Sequence, residues 1–234
     1  MRPTHYALAP GSWRDYVTVL HLPYTLWHLS YVVIGATLSP TLHLDRLSGT
    51  LLAFFLAVGI GAHALDELKG RPLRTEIPDR ILIAAAMVSI SVAVTMGIIG
   101  SIAIDPWLLI FTGIGGFIVI AYNLELFGGR FHTDFWFAAA WGAFPMLTAY
   151  WANAGSFTVL ASMIALLCYL SSAAQRALSS RVRRLRRQGQ PAGTGTVIEG
   201  PNEIKAALVL PERTLQALNL TVVLVAALAL LLRL

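Results

Sequence analysis

The feature that most constrains this chain is the recurrence of apolar runs near the length of a membrane crossing, separated by short polar or Gly/Pro-containing breaks. A membrane-spanning helix needs roughly 20 mostly apolar residues. Seven runs qualify, at roughly 17–38, 48–68, 81–101, 104–124, 135–153, 157–175 and 215–233. Hydrophobic residues make up 56% of the chain and charged residues 12%, against about 25% charge in a soluble domain. The expected fold is therefore all-α: one polytopic transmembrane bundle over 1–234, with about seven spans. No short apolar core with a small-residue cleavage site follows the polar start, so no signal peptide is expected.

The net charge of +5 would suit a nucleic acid, but the basic residues fall between the apolar runs, so no nucleic-acid partner is expected. With the N-terminus inside, only Arg46 and Arg233 of the 17 Lys and Arg fall outside. That asymmetry predicts an integral plasma-membrane protein with a cytoplasmic N-terminus and an external C-terminus. The single cysteine, Cys168, sits in an apolar run and reads as a small core residue. The residues set no oligomeric state.

One connection is long, the basic cytoplasmic loop 176–213. It opens with RVRRLRR, expected to extend the sixth span as a helix, and turns Gly/Pro-rich in QGQPAGTGTVIEGPNE. Its arginines are expected to meet anionic headgroups at ~1 kcal/mol each; binding a substrate diphosphate is the alternative. Ile204–Leu210 is apolar between charges and is expected to lie along the interface.

Chain alternation then places the ends of spans two and four and the starts of spans one, three and five on one face. His21, His63, Asp66, Glu67, Asn123, Glu125, His132 and Asp134 gather there. Charge near membrane depth costs roughly 2.5–3.5 kcal/mol, which makes such residues functional candidates. The densest stretch is GAHALDELKGRPLRTEIPDR, residues 61–80. His63 has helical spacing to Asp66 and Glu67. Carboxylates suit Mg²⁺; adding His63 and His132 suits Fe, Zn or Mn. Alternatively Asp66 and Glu67 pair with Lys69, Arg71 or Arg74, with Asp66 the deeper of the two. In YNLELFGGRFHTD, residues 122–134, Gly128-Gly129 marks a turn, and Asp134 equally reads as a helix N-cap. In span one, Pro23 is expected to kink the helix between His21 and His28. His28 reads as an interhelical hydrogen bonder or a ligand. Trp27, Trp136, Trp141 and Trp151 read as packing or interfacial residues.

These stretches carry a resemblance. HALDELKGRPLRTEIPDRILI is similar to the first Asp-rich motif of the UbiA-type intramembrane prenyltransferases, with Arg71, Pro72, Leu73 and Pro78 matching its Arg-Pro-Leu…Pro tail. The stretch from Tyr122 to Gly155 resembles that family's fifth-helix region, and LPYTLWHLSYVVIGATLSP its first helix, so the likeness covers roughly 16–175. The chain departs from the family in three ways. The first motif is contracted, the second Asp-rich motif is replaced by QRALSSRVRRLRR, and two C-terminal helices are missing.

The resemblance implies transfer of a prenyl group from its diphosphate to a lipophilic acceptor within the membrane lipid. It implies Mg²⁺ held by His63, Asp66, Glu67 and Asp134, with Asp66, Arg71, Tyr122 and Arg130 as catalytic residues. Lys69, Arg74, Asn123 and His28 would bind substrate, and the basic run would supply direct countercharge. Two other functions stay open: a non-catalytic lipid- or isoprenoid-binding subunit on a degenerate UbiA fold, and a transition-metal site built from His21, His63, Asp66, His132 and Asp134.

Overall fold

The computed structural model describes residues 4, 6–8, 11, 13–188 and 201–234. Helix α1 (Trp13–Val19) leads into α2 (Leu22–Leu38). Helix α3 (Leu44–Leu68) contains a π-helical stretch at Phe55–Ala62. After it come α4 (Asp79–Ala103) and α5 (Leu108–Asn123). Helix α6 (134–154) runs through a second π-helical stretch, Ala139–Ala143. Helices α7 (Val159–Gln188) and α8 (Pro201–Leu231) complete the bundle. No strand occurs among the described residues.

Four helices, α3, α4, α7 and α8, are long and apolar enough to cross a membrane, and α1 with α2 makes a fifth if the bent pair is one span. Helix α5 is apolar but shorter. Met87, Val88, Ile99 and Ile102 on α4, Leu166 and Leu167 on α7, and Leu224 and Leu228 on α8 are exposed. Apolar surface of that extent, on helices whose backbone groups pair internally, belongs in lipid.

Lipid supplies no hydrophobic drive between helices, so close packing must hold them together. Helix α2 is the centre of that packing. Trp27 and Tyr31 lie against Met146, Tyr150, Ala161, Ala165 and Cys168, and the Trp27 indole donates to the Tyr31 hydroxyl at 2.6 Å. Asn219 on α8 donates to the Pro23 carbonyl.

The break in the first span differs from the expected proline kink. The helix stops at Val19 and restarts at Leu22, bent by 42°, with His21 in the left-handed region at φ 46°. Pro23 falls in the first turn of α2, where its missing N–H costs nothing and its fixed φ suits the helix. Pro23 therefore starts a helix rather than bending one.

The long basic connection is also more ordered than expected. Helix α7 carries the basic run as one continuous helix to Gln188, in agreement with the sequence. Residues 189–200, most of the Gly/Pro-rich stretch, lie outside the described residues. Ile204–Leu210 forms the first part of α8. Ile204, Leu208 and Leu215 pack on Leu178, Val182 and Leu185, because their helical spacing makes an apolar stripe that α7 matches. The Arg186 Nε donates to Glu212 at 2.9 Å across this pair.

Candidate functional site: an arginine-rich chamber at one end of the bundle

Helices α2, α3, α5, α6 and α7 and the connection after α3 enclose a cavity of about 550 Å³ at one end of the molecule. It takes His21, Tyr24 and His28 from the start of α2, and His63 and Asp66 from the end of α3. Tyr122 and Asn123 come from the end of α5, His132 and Phe137 from the α5–α6 turn and the start of α6, and Gln175 and Ser179 from α7. Thr4 and Tyr6 border it from the N-terminal segment. Alternating chain direction brings these termini together.

Its floor and one wall depend on Glu67. The carboxylate is 1% exposed. It accepts from the Leu73 and Thr75 amides and from the Thr75 hydroxyl, each at 2.9 Å. These bonds hold 69–78 as a non-helical strap in which Leu73, Thr75 and Ile77 are buried and Arg74 and Glu76 exposed. Gly70, Arg71 and Arg74 have φ of 91°, 53° and 57°. Left-handed angles at non-glycine residues cost of order 1–3 kcal/mol each and persist only where surroundings fix them. The fixing groups are Glu67, the Arg71 guanidinium on the Ile77 carbonyl at 2.6 Å and on Asp79, and the Asp15 carboxylate on the Glu76 amide at 2.8 Å.

The histidines are fixed as well. His63 Nδ1 lies 3.2 Å from the Gly59 carbonyl, His28 Nδ1 2.7 Å from that of Trp141, and His132 Nδ1 3.0 Å from that of Tyr122. A carbonyl only accepts, so in each ring Nδ1 is the donor. His63 stacks on His21 with centroids 4.3 Å apart, and His132 on Tyr122 at 4.4 Å. Tyr6 hydrogen-bonds His21 Nδ1 at 2.7 Å. Burial, and then the neighbouring Tyr24, push the Tyr6 phenol well above its ordinary range, so it stays protonated at neutral pH.

Cations dominate the chamber's electrostatics. Arg71, Arg74, Arg176, Arg183, Arg186 and Arg187 line it, and Asp66 is its only carboxylate among the described residues. Arg176 also lies 5.0 Å from the centre of the Phe137 ring. The α7 arginines arrive by helical spacing: Arg176, Arg183 and Arg187 fall on one stripe, and Gln175, Ser179 and Arg186 on the next. Arg181 and Arg184 of the same run are exposed and absent from the lining. The basic run is thus divided: Arg176, Arg183, Arg186 and Arg187 line the chamber, and Arg181 and Arg184 do not.

Several expected site residues stand elsewhere. Lys69 is exposed and pairs with Glu125 at 2.8 Å. Arg130 is exposed. Asp134, also exposed, pairs with Arg176 at 3.1 Å, and the capping oxygen of α6 is that of Thr133. Glu67, not Asp66, is the deeper carboxylate, and it meets backbone amides instead of Lys or Arg. The proposed ligand set of His63, Asp66, Glu67 and Asp134 is therefore not assembled. No group of three His, Cys, Asp or Glu able to hold a metal occurs among the described residues, which applies equally to His21, His63, Asp66, His132 and Asp134. A Mg²⁺ clamp on phosphates wants carboxylates; a lone aspartate among arginines does not fit one. Sequence reasoning passed over Tyr6, Tyr24, Gln175 and Ser179, which carry no motif.

Behind the chamber lies an apolar cavity of about 220 Å³ between α3, α4, α5 and α6. Gly97, Gly115 and Gly116 keep it open, and Asp45 and Arg46 border it. Trp141 lines both cavities. No family model, curated protein or solved structure matches the chain.

Proposed function

We propose that the protein is an intramembrane prenyltransferase of UbiA-like type, taking a prenyl diphosphate and a lipophilic acceptor from the membrane. One observation carries this reading: a chamber lined, among the described residues, by six arginines and one carboxylate, with an apolar cavity across Trp141. An anionic head and an apolar tail match those two spaces. Helix α5 and the run 134–154 are read as two further crossings, for seven in all. The strong excess of Lys and Arg at the chamber end supports a cytoplasmic N-terminus and a plasma-membrane location.

The reaction would proceed by heterolysis of the allylic C1–O bond. The electron pair leaves with the diphosphate oxygen, and the arginines stabilise the charge that develops there. The acceptor's nucleophilic atom forms the new bond to C1. Its proton passes to Asp66, the only carboxylate lining the chamber among the described residues, and then to water. Tyr122 and Asn123 flank this position, and the His63 and His132 rings line the space where polar groups of the acceptor would sit.

Membranes containing the protein, supplied with radiolabelled prenyl diphosphate and native lipid extract, should yield labelled lipid and free diphosphate. Asp66→Ala should lower the rate on the order of 10²-fold, the lower range for a lost general base, without lowering thermal stability. Unchanged transfer would remove the enzyme assignment. The lone carboxylate favours one second reading, an isoprenoid-binding subunit without turnover. Co-purified prenyl lipid with no diphosphate release would select it.

A further inference from the structure

The chamber's charge inventory does not fit a metal-assisted diphosphate site. From it we infer that the chamber binds the diphosphate head directly on arginine, with no divalent cation between protein and ligand. This rests on the prenyl diphosphate reading above and names how its head is recognised.

Two sets of residues carry the inference. The first is the acids. Of the carboxylates near the chamber, Glu67 is consumed by the strap, with three donors on its two oxygens. Asp134 and Glu125 face outward and are engaged by Arg176 and Lys69. Asp66 is left alone, and no metal-holding group is formed by the described residues. A magnesium ion bridging two phosphates would have one protein carboxylate and a ring of guanidinium charges repelling it. Imidazoles do not compensate, because Mg²⁺ prefers oxygen.

The second set is the arginines, which differ in how far they are already neutralised. Arg71 is matched by Asp79, Arg176 by Asp134 and Arg186 by Glu212. Arg183 donates to the hydroxyls of Ser179 and Ser180, at 3.5 and 2.9 Å, and feels the charge of Asp66 without forming an ion pair with it. Arg187 has no ion pair among the described residues. Both line the chamber, four residues apart and therefore on one face of α7. Two guanidinium forks side by side, each able to donate two parallel hydrogen bonds, match the adjacent phosphoryl groups of a diphosphate. The paired arginines are already partly neutralised by their carboxylates, and Arg183 and Arg187 supply the charge that a ligand must complete. When the C1–O bond breaks, the leaving diphosphate gains negative charge on the oxygen released, and the same donors hold it. Nothing is oxidised or reduced.

The test uses the full-length protein in nanodiscs. The probe is farnesyl S-thiolodiphosphate, which resists ionisation, with inorganic diphosphate as a tail-less companion. Affinity is measured in EDTA and again in excess Mg²⁺. We expect the two affinities to agree within about threefold, and Arg183→Gln with Arg187→Gln to weaken binding on the order of 100-fold, the scale for losing charge-assisted hydrogen bonds to a bound diphosphate. Arg181→Gln with Arg184→Gln removes the same net charge from the side of the helix that does not line the chamber and should leave affinity within about threefold. Matched melting temperatures establish that each variant is folded. Binding that appears only with Mg²⁺ overturns the inference and leaves the prenyltransferase reading standing. Equal losses from the inner and outer arginine pairs overturn it too, since bulk charge would then suffice. No binding in either medium overturns the inference and the function it rests on together.

Discussion

Glu67→Ala should unfold the strap and, with it, the chamber, at a cost of about 3–5 kcal/mol, the range for breaking a buried charged network. Removing the side chain leaves the Leu73 and Thr75 amides and the Thr75 hydroxyl without an acceptor in a buried space. Each orphaned donor costs ~1–3 kcal/mol. The left-handed angles at Arg71 and Arg74 would then relax toward ordinary extended values, since nothing opposes the local strain. Leu73 and Ile77 would leave their packed positions. Ile77 shares a cluster with Ala64, Leu82 and Ala86, so the ends of α3 and α4 would loosen as well. Glu67→Gln keeps the shape but offers an amide group to donors, so it should fall between wild type and alanine. Limited trypsin digestion provides the readout. Cleavage after Arg74, slow in the wild type, should become fast in Glu67→Ala and intermediate in Glu67→Gln, with melting temperature falling in the same order. An unchanged cleavage rate in the alanine variant would show that the strap is held by something other than this carboxylate.

Glu67 also shows what the sequence could and could not say. Helical membrane chains alternate direction, so counting runs and charges is enough to send His63, Asp66, Asn123 and His132 to the same end. Their place in one chamber follows from that topology. The roles of neighbouring residues do not. Asp66 and Glu67 are adjacent and differ by about 100° of rotation, and eight π-helical residues, Phe55–Ala62, immediately precede them. Such a stretch carries an extra residue per hydrogen-bonded ring, which shifts the phase of everything after it. A period of 3.6 read forward from the apolar run therefore loses the face before it reaches the carboxylates. The arginines of α7 were misjudged for another reason. Counting charges per loop assigns RVRRLRR to a membrane surface as a block, whereas the helix separates Arg183 and Arg187 from Arg181 and Arg184 by rotation alone. The apolar stripe of Ile204, Leu208 and Leu215 was visible as a stripe, but its partner lies across a connection whose geometry no local pattern encodes.

Gly35→Val should prevent the bundle from assembling. A Cβ at residue 35 would sit 2.1 Å from the Met146 carbonyl oxygen, 2.9 Å from its carbonyl carbon and 3.1 Å from its Cα. All three are backbone atoms, so no rotamer change relieves the clash, and α2 would have to move away from α6. That contact is deeply buried: Val32, Ala36, Met146 and Ala149 flank it and are fully enclosed. In lipid this packing is itself the force between helices, and separating the pair by an ångström forfeits a quarter to a half of each contact's attraction. Gly35→Ala should already lower the yield of monodisperse protein severely, and trimming the Met146 side chain should not restore it. Gly97 supplies the contrast. There an added Cβ would meet the Thr112 side chain, at 2.2 Å from Oγ1 and 2.8 Å from Cγ2, so Gly97→Ala combined with Thr112→Ala should recover most of the stability lost in Gly97→Ala alone. Size-exclusion profiles and melting temperatures of the four alanine combinations would separate the two cases. Rescue at residue 35 by a Met146 side-chain change would mean that α2 and α6 are not in backbone contact, and the bundle's central packing would have to be redrawn.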